Sequence, residues 1–286
     1  MEGVEMDHIP VVAGLIMRMR YPTARAWIGG PAVYAATGMR LMGLHSRMMA
    51  AVSHSMSEDE RSVIELLSCD DRCMTSINNP LLTWHSENVL GSKGNGKLDG
   101  MPAIWKSEKN SDLLNGALVV LANGDPAWYC SILTKTQPQL TLMDFNMNWL
   151  AIRGEELRQC LRYVDMITIT RHEYSSLGKR FFATFLAQKN KFLLVKDGSH
   201  GSELISGEER ELLAPAMPRT VTTDVGCGDL LIGLVAGYLS HQLSRADAMV
   251  FQQIKAGYLA ALPWIATLLE SGCNESFIRR CMNEFR

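Results

Sequence analysis

Two glycines and an acid stand at the predicted start of a helix, in the stretch Thr222-Thr223-Asp224-Val225-Gly226-Cys227-Gly228-Asp229. Glycines let the backbone come close to a ligand, and the first N–H groups of a helix point at whatever lies there. Phosphate is the obvious guest for such a turn. Asp229 follows it directly, where a carboxylate could take the proton of a hydroxyl that attacks phosphorus. The alternative is an ordinary turn, in which Asp caps the helix and glycine relieves strain.

The run that follows this turn, from Leu230 to Leu239, is apolar on nearly every face. Such a pattern predicts a buried helix. Because the start of this buried helix carries an acid with no basic partner nearby in sequence, the acid requires a reason. The pattern therefore favours a functional turn.

Short apolar runs alternate with longer helical patterns along the chain, which is typical of a mostly parallel sheet with helices on both faces. The predicted strands are Ile9–Val12, Arg47–Val52, Leu118–Ala122, Leu140–Asp144, Met166–Thr170 and Phe192–Lys196. The first predicted helix begins at the capping box Ser57-Glu58-Asp59-Glu60 and runs to about Leu67. Further predicted helices are Gly154–Tyr163, Lys179–Gln188 and a pair within Arg245–Leu269 that is separated by Pro263.

The glycine turn resembles the C-terminal signature of the PfkB, or ribokinase-like, family of sugar and nucleoside kinases, which reads Asp-Thr-x-Gly-Ala-Gly-Asp and runs into a helix. The matching residues are Asp224, Gly226, Gly228 and Asp229, while Val225 and Cys227 depart from the pattern. The resemblance implies a ribokinase-like α/β fold. It also implies that Asp229 is the catalytic base and that Gly226, Cys227 and Gly228 form the anion cradle.

Weaker matches to the family occur in the same order as in the family. The helix start at Gly29-Gly30-Pro31, with Tyr34 behind it, is similar to the Gly-Gly motif that touches substrate. Asp144-Phe145-Asn146 looks like the family's Asp-x-Asn at a strand end, which implies a substrate role for Asn146. The alternatives are a helix packed closely on the sheet and a plain strand-end turn.

Two further matches concern the nucleotide. Glu173, with Thr170 in place of the family's Asn, is similar to the Asn-x-x-Glu acid that helps organise magnesium; it could equally be a first-turn glutamate that complements the helix dipole. The turn after Lys196, with Gly198 and Gly201, looks like the family's Gly-x-x-Gly turn beside the nucleotide, or it is a plain hairpin that continues through 202–213. The resemblance implies ATP and Mg²⁺, bound with the help of Lys196, Gly198, Gly201 and Asp224, and leaves a monovalent cation open.

The N-terminal region departs most from the family. The segment Leu15–Arg20 contains no acid to bind substrate hydroxyls, and only Leu15–Ile28 separates the two glycine sites. We therefore expect a single domain over 1–286 with a shortened or partly missing lid, built from segments near 9–28 and 73–111. Two other functions stay open: an ADP- or ATP-dependent dehydratase of hydrated nicotinamide nucleotides with the same fold, and a non-catalytic nucleotide- or metabolite-binding relative.

Composition narrows the function without identifying it. The chain has 286 residues, 47% of them hydrophobic, and a formal net charge of -2 with the charges interspersed, which offers no stripe for a nucleic-acid backbone. Seven cysteines without paired Cys-x-x-Cys spacing describe neither a disulfide framework nor a zinc site. The acidic N-terminus and the lack of a long apolar run predict a cytoplasmic protein without a membrane anchor. Its expected partners are a small-molecule substrate and a nucleotide, and a homodimer stays open.

Overall fold

The structure is a computed structural model that describes residues 9–22, 24–86, 96–100, 105–207, 209–243, 250–272 and 274–283. The N-terminal residues 1–8, whose acidic character supports the prediction of a cytoplasmic protein, lie outside this part of the chain. Within it, no helix is long and apolar enough to cross a membrane. The six cysteines it includes are all free thiols.

A large sheet of nine strands forms the centre of the described chain. From one edge to the other its strands are β5 (Met74–Ile77), β4 (Arg47–Ser53), β1 (Val11–Ala13), β8 (Leu118–Leu121), β9 (Leu140–Asp144), β10 (Met166–Thr170), β11 (Phe192–Lys196), β12 (Ser202–Ser206) and β13 (Glu209–Leu213). The strands from β5 to β11 are parallel to their neighbours, whereas β12 and β13 are antiparallel. The predicted strands and the mostly parallel sheet are therefore confirmed.

Helices cover both faces of this sheet. They are α1 (Pro31–Leu41), α2 (Glu58–Leu67), α3 (Pro126–Leu133), α4 (Leu150–Cys160), α5 (Arg171–Leu177), α6 (Lys179–Leu186), α7 (Cys227–Leu243), α8 (Phe251–Ser271) and α9 (Glu275–Asn283). Neighbouring residues of β1 point to opposite faces, so Val12 joins a core with α1, α7 and α8, while Val11 and Ala13 join a second core with α3, α4 and α6. Burial on both faces explains why the strands read as continuous apolar runs.

Helices α1 and α7 pack backbone against backbone. A Cβ on Gly38 of α1 would lie 2.5 Å from the carbonyl oxygen of Leu230, and a Cβ on Gly233 of α7 would overlap the carbonyl oxygen of Ala35. Glycine at these two positions is therefore required by the close approach of the helices. The contact fixes the start of α7 against the helix that follows Gly30.

A second, four-stranded sheet is built from the two segments predicted to form a lid. Its order in the described chain is β3 (Trp27–Gly29), β2 (Met17–Arg20), β6 (Thr83–Ser86) and β7 (Gly96–Asp99). Residues 87–95 and 101–104 of the second segment lie outside the described part. On one face of this small sheet, Arg18 donates to both carboxylate oxygens of Glu60 at 2.6 and 2.8 Å, which ties the sheet to α2.

The opposite face of the small sheet carries a row of apolar side chains. Register places Trp27 opposite Met19, Met19 opposite Trp84, and Trp84 opposite Leu98. Partners in register point to the same face. The row therefore runs across all four of these strands.

Two helix predictions need correction. The predicted break at Pro263 is wrong, because α8 continues through it; Leu259, one turn earlier, is exposed, so solvent can reach the backbone that proline leaves unpaired. The helix predicted from Gly154 begins earlier, at Leu150, and the turn before Gly154 joins the rest of α4 across a kink at Arg153, whose dihedrals are non-helical. Residues 244–249 of the predicted C-terminal pair lie outside the described chain. Helix α2 begins after Ser57 with the predicted capping box.

Candidate active site

The glycine turn precedes α7 and has the conformation that its sequence requires. Gly226 has φ +82°, a left-handed conformation that favours glycine, and its carbonyl oxygen accepts from the N–H of Leu230 at 2.8 Å. The N–H of Cys227 donates to the carbonyl oxygen of Asp224 at 3.2 Å. Within the described residues, the N–H groups of Gly226 and Gly228 have no protein acceptor. Two of the three amides in the predicted cradle therefore remain available for an anion, and that of Cys227 is used by the turn itself.

Both glycines of the turn are in close contact with a side chain. A Cβ on Gly226 would lie 2.6 Å from Cδ2 of Tyr34, and a Cβ on Gly228 would lie 2.7 Å from Nζ of Lys196. The Tyr34 ring and the Lys196 ammonium are therefore packed directly against the turn. These contacts bring together residues from α1, β11 and α7 that the sequence assigned separately to substrate, nucleotide and catalysis.

Asp229 lies in the first turn of α7 as a half-buried residue. Its Oδ1 atom is buried and has no hydrogen-bond partner among the described residues. Burial raises the pKa of Asp229 to about 8; the Asp144 carboxylate adds to this effect, and the Lys196 ammonium opposes it. A carboxyl group with its pKa near neutrality is suited to exchange a proton with a substrate hydroxyl.

Asp144 and Lys196 form an ion pair at the carboxyl edge of the large sheet. Their strands β9 and β11 flank β10, and Nζ of Lys196 is 2.5 Å from Oδ1 of Asp144, with 14% of each side chain exposed. The hydroxyl of Thr168, paired in register with Asp144, donates to the same oxygen. Burial alone lowers the pKa of Lys196, but Asp144, Asp229 and Glu173 outweigh it, so the pKa lies above its ordinary value. Lys196 is therefore held as a cation.

Cys227, one of the two departures from the family signature, does not supply a nucleophile. Burial, together with the nearby Asp224, raises the pKa of the Cys227 thiol to about 12. The thiol therefore stays protonated at neutral pH, where only a thiolate would be reactive. Its place in the predicted cradle is that of a small side chain.

Gly29 and Gly30 lie where the small sheet joins α1. Gly30 has φ +97° and is the N-cap of α1, and a Cβ on Gly29 would lie 2.5 Å from the hydroxyl of Tyr34 and 2.6 Å from Cγ of Met19. Tyr34 thus lies between the apolar row of the small sheet and the glycine turn. The predicted substrate residues Gly29, Gly30 and Tyr34 lie together, next to the helix that carries Asp229.

Asn146 and Glu173, predicted for substrate and metal, both have local structural contacts. The side-chain oxygen of Asn146 accepts from the N–H of Asn148 at 2.9 Å. Glu173 completes a capping box with Thr170 and accepts from the N–H of Met147 at 2.9 Å, which joins the loop after β9 to α5. The interpretation of Glu173 as a first-turn acid is thus met by the geometry, and its role at magnesium stays a prediction.

Gly198 and Gly201 bound the short turn after β11. They have φ +55° and +91°, and the carbonyl oxygen of Gly201 accepts from the N–H of Asp197 at 2.8 Å. A Cβ on Gly198 would meet no atom within 4 Å, so this side of the turn is open. Asp224 is exposed. The predicted hairpin follows as β12 and β13, so the glycine turn and the hairpin are both present.

Sequence reasoning did not assign Asp144 to the candidate site, although it named the Asp-x-Asn turn in which Asp144 lies. The missing signal was topological: carboxyl ends of adjacent parallel strands meet at one edge, so the ends of β9, β10 and β11 converge. The apolar row that includes Met19 and Trp84 was also missed, because its members are far apart in sequence.

The large sheet, its helix layers and the glycine turn at the start of α7 define a ribokinase-like α/β fold, and comparisons with known proteins agree. The chain is similar to a nucleoside kinase of Methanocaldococcus jannaschii, with 21% identity over 245 residues, which cover 80% of this chain and 76% of that protein. No protein-family model matches the chain.

Solved structures share the fold over nearly the whole chain. A Methanocaldococcus jannaschii nucleoside kinase, described as an archaeal member of the ribokinase family, has a TM-score of 0.68 at 17% identity and covers 99% of this chain and 100% of its own. A Burkholderia thailandensis nucleoside kinase in complex with inosine has a TM-score of 0.73 at 15% identity, with 96% and 98% covered. A Vibrio cholerae O395 fructokinase with fructose, ADP and calcium ion has a TM-score of 0.66 at 12% identity, with 98% and 99% covered. The predicted fold is therefore confirmed, and these similar proteins are kinases.

Proposed function

We propose that the protein transfers the γ-phosphoryl group of ATP to a hydroxyl group of a small nucleoside or sugar. The proposal depends chiefly on the buried Oδ1 of Asp229, which has no hydrogen-bond partner among the described residues. It lies beside the N–H groups of Gly226 and Gly228, which have no acceptor among those residues, on a ribokinase-like fold. The kinases named above support the class of reaction.

In the proposed reaction, the acceptor hydroxyl oxygen attacks the γ-phosphorus while its proton moves to Asp229. The bond between that phosphorus and the bridging oxygen of ADP breaks, and the proton later leaves Asp229 for solvent. The amides of Gly226 and Gly228 and the positive end of α7 stabilise the negative charge on the phosphoryl oxygens. Glu173 would help to hold Mg²⁺, which when bound would supply further charge neutralisation on the phosphates.

A nucleoside is the acceptor that we place first. The segment Leu15–Arg20 has no acid for a polyol, and the small sheet instead places Met19 beside Tyr34, with Trp84 opposite Met19 in register. Apolar and aromatic side chains suit a flat base, which has a π-face to stack. The Burkholderia thailandensis relative, whose complex contains inosine, supports the same choice.

The test measures ATP consumption and phosphorylated product with panels of nucleosides, sugars and cyclitols, and with hydrated NADH. A phosphorylated nucleoside or sugar supports the proposal. Turnover of hydrated NADH alone would identify the dehydratase instead, and nucleotide binding without any turnover would identify the non-catalytic relative.

The variant test is Asp229→Asn, which keeps size but removes the base. We expect a loss of at least ~10² in kcat with nucleotide binding little changed, the scale of a positioned acid–base group. Asp71→Asn is the matched control, because it makes the same chemical change at an exposed carboxylate between β4 and β5. Unchanged turnover in Asp229→Asn refutes the assignment of the base.

A further inference from the structure

Lys196 lies against the anion turn rather than merely near it. Its Nζ occupies the space that a Cβ on Gly228 would need, at 2.7 Å. The N–H of Gly228 has no acceptor within the described residues. An oxyanion seated on this amide would therefore meet the ammonium at the same time.

The Lys196 ammonium also has more N–H donors than its ion pair with Asp144 requires. A lysine ammonium carries three N–H donors, and in the described chain Nζ of Lys196 has Asp144 as its acceptor. Asp144 in turn receives the hydroxyl of Thr168 on the same oxygen. Asp144 is thus held by two donors, and Lys196 keeps N–H groups for a ligand while it remains in the pair.

Lys191, at the opposite end of the same strand, is a second buried lysine in an ion pair, but its contacts differ from those of Lys196. Nζ of Lys191, just before β11, donates to the carbonyl oxygen of Val164 at 2.6 Å and to Oδ1 of Asp165 at 3.0 Å. Those contacts join β10 to β11 and leave Lys191 bound to the protein itself. Buried ion pairs add little net stability, so a pair that faces an open amide turn calls for another use.

We propose that Lys196 is a catalytic residue that donates to an oxygen of the transferred γ-phosphoryl group. Its charge offsets the charge that builds on the phosphoryl oxygens while Asp144 keeps it aimed at the turn. The inference rests on the proposed function, and it is more specific than nucleotide binding, because it assigns Lys196 to the group that moves. No other atom of the reaction changes: Lys196 keeps its protons throughout.

The first experiment compares binding of a non-hydrolysable ATP analogue, ADP and inorganic pyrophosphate by calorimetry. Lys196→Met keeps the length of the side chain and removes its charge. We expect Lys196→Met to bind the ATP analogue roughly tenfold or more weakly, the scale of a lost charge-assisted hydrogen bond, with ADP affinity little changed. Lys196→Arg keeps the charge and should recover part of the preference for the triphosphate.

The control is Lys191→Met, which also removes a buried lysine from an ion pair. A purely structural role for both lysines predicts lower thermal stability in both variants and the same ratio of triphosphate to diphosphate affinity as the wild type. An unchanged ratio in folded Lys196→Met overturns the inference. So does a wild-type protein that binds neither the ATP analogue nor pyrophosphate.

Failure of the proposed function gives a different result. If the wild type binds the ATP analogue, loses that binding in Lys196→Met, and yet phosphorylates no acceptor, the anion contact of Lys196 stands and the kinase activity does not. If the wild type is an active kinase and Lys196→Met keeps both kcat and the triphosphate preference, the activity stands and the role of Lys196 is refuted.

Discussion

Replacing Asp229 with asparagine should stabilise the ligand-free protein, and the gain should grow with pH. The pKa of Asp229 is raised from 3.8 to about 8, chiefly by burial, so the folded protein holds this proton more tightly than the unfolded chain. A raised pKa contributes stability that is fully present below the unfolded pKa and is lost as pH rises through the folded pKa. The wild type therefore loses stability between about pH 4 and pH 8, whereas the neutral amide of the Asp229→Asn variant has no charge to bury.

The size of the effect follows from this shift. At 1.36 kcal/mol per pKa unit, the roughly three units between pH 4 and pH 7 set a ceiling of about 4 kcal/mol. Because Asp229 is partly exposed, water relaxes much of this penalty, and we expect about 1–2 kcal/mol at pH 7. For a chain of this size each kcal/mol moves the Tm by about 2–4 °C. Asp229→Asn should therefore melt about 2–8 °C above the wild type at pH 7, with a smaller difference at pH 5.

The assay is thermal unfolding of the wild type, Asp229→Asn and Asp71→Asn at pH 5, 6, 7 and 8 without nucleotide. Asp71 is exposed, so its variant should follow the wild type at every pH. If the difference in Tm between Asp229→Asn and the wild type stays constant or shrinks as pH rises, then burial of the charged Asp229 carboxylate does not destabilise the folded protein. The reasoning on its pKa would then be wrong.

Two further predictions concern packing and capping. Gly233→Ala should lower the free energy of unfolding by about 1–3 kcal/mol in chemical denaturation, because the new methyl group meets the carbonyl of Ala35. The control Gly154→Ala, with only a side-chain nitrogen 3.8 Å from its Cβ, should be neutral or stabilising by up to about 1 kcal/mol. Equal losses of stability in both variants would contradict the close contact between α1 and α7. Glu173→Gln should lower the free energy of unfolding by about 1–2 kcal/mol, since the charged oxygens of Glu173 accept from the N–H groups of Met147 and of the N-cap Thr170. It should also raise the Mg²⁺ concentration needed for half-maximal activity. Unchanged stability would contradict the role of Glu173 in capping α5.

Local patterns predicted the elements of this fold well. Apolar runs without alternation indicated buried parallel strands, and Ser57 with Glu60 marked the start of α2 because both partners of a capping box lie within four residues. The predicted break at Pro263 was wrong because a long helix can continue through a proline when solvent reaches the carbonyl that the proline leaves unpaired. Solvent access depends on how the helix packs in the fold, which the local sequence does not show.

The site was predictable only in part, for a related reason. Asp229 and its glycines are contiguous, so the candidate turn is visible in the sequence. The partnership of Asp144 with Lys196 spans 52 positions and exists because β9 and β11 end at the same edge of the sheet. The apolar row of the small sheet likewise depends on strand register, which a single sequence does not reveal.

The glycine contact between α1 and α7 also sets a rule for redesign of the proposed acceptor site. Gly38 and Gly233 lie far apart in sequence, yet neither tolerates a larger side chain unless the opposite helix backs away. Any such retreat would carry Tyr34 and Asp229 in different directions and widen the gap that a hydroxyl must bridge. Libraries aimed at new acceptors should therefore diversify Met19, Trp84 and their strand neighbours and leave this helix pair as it is.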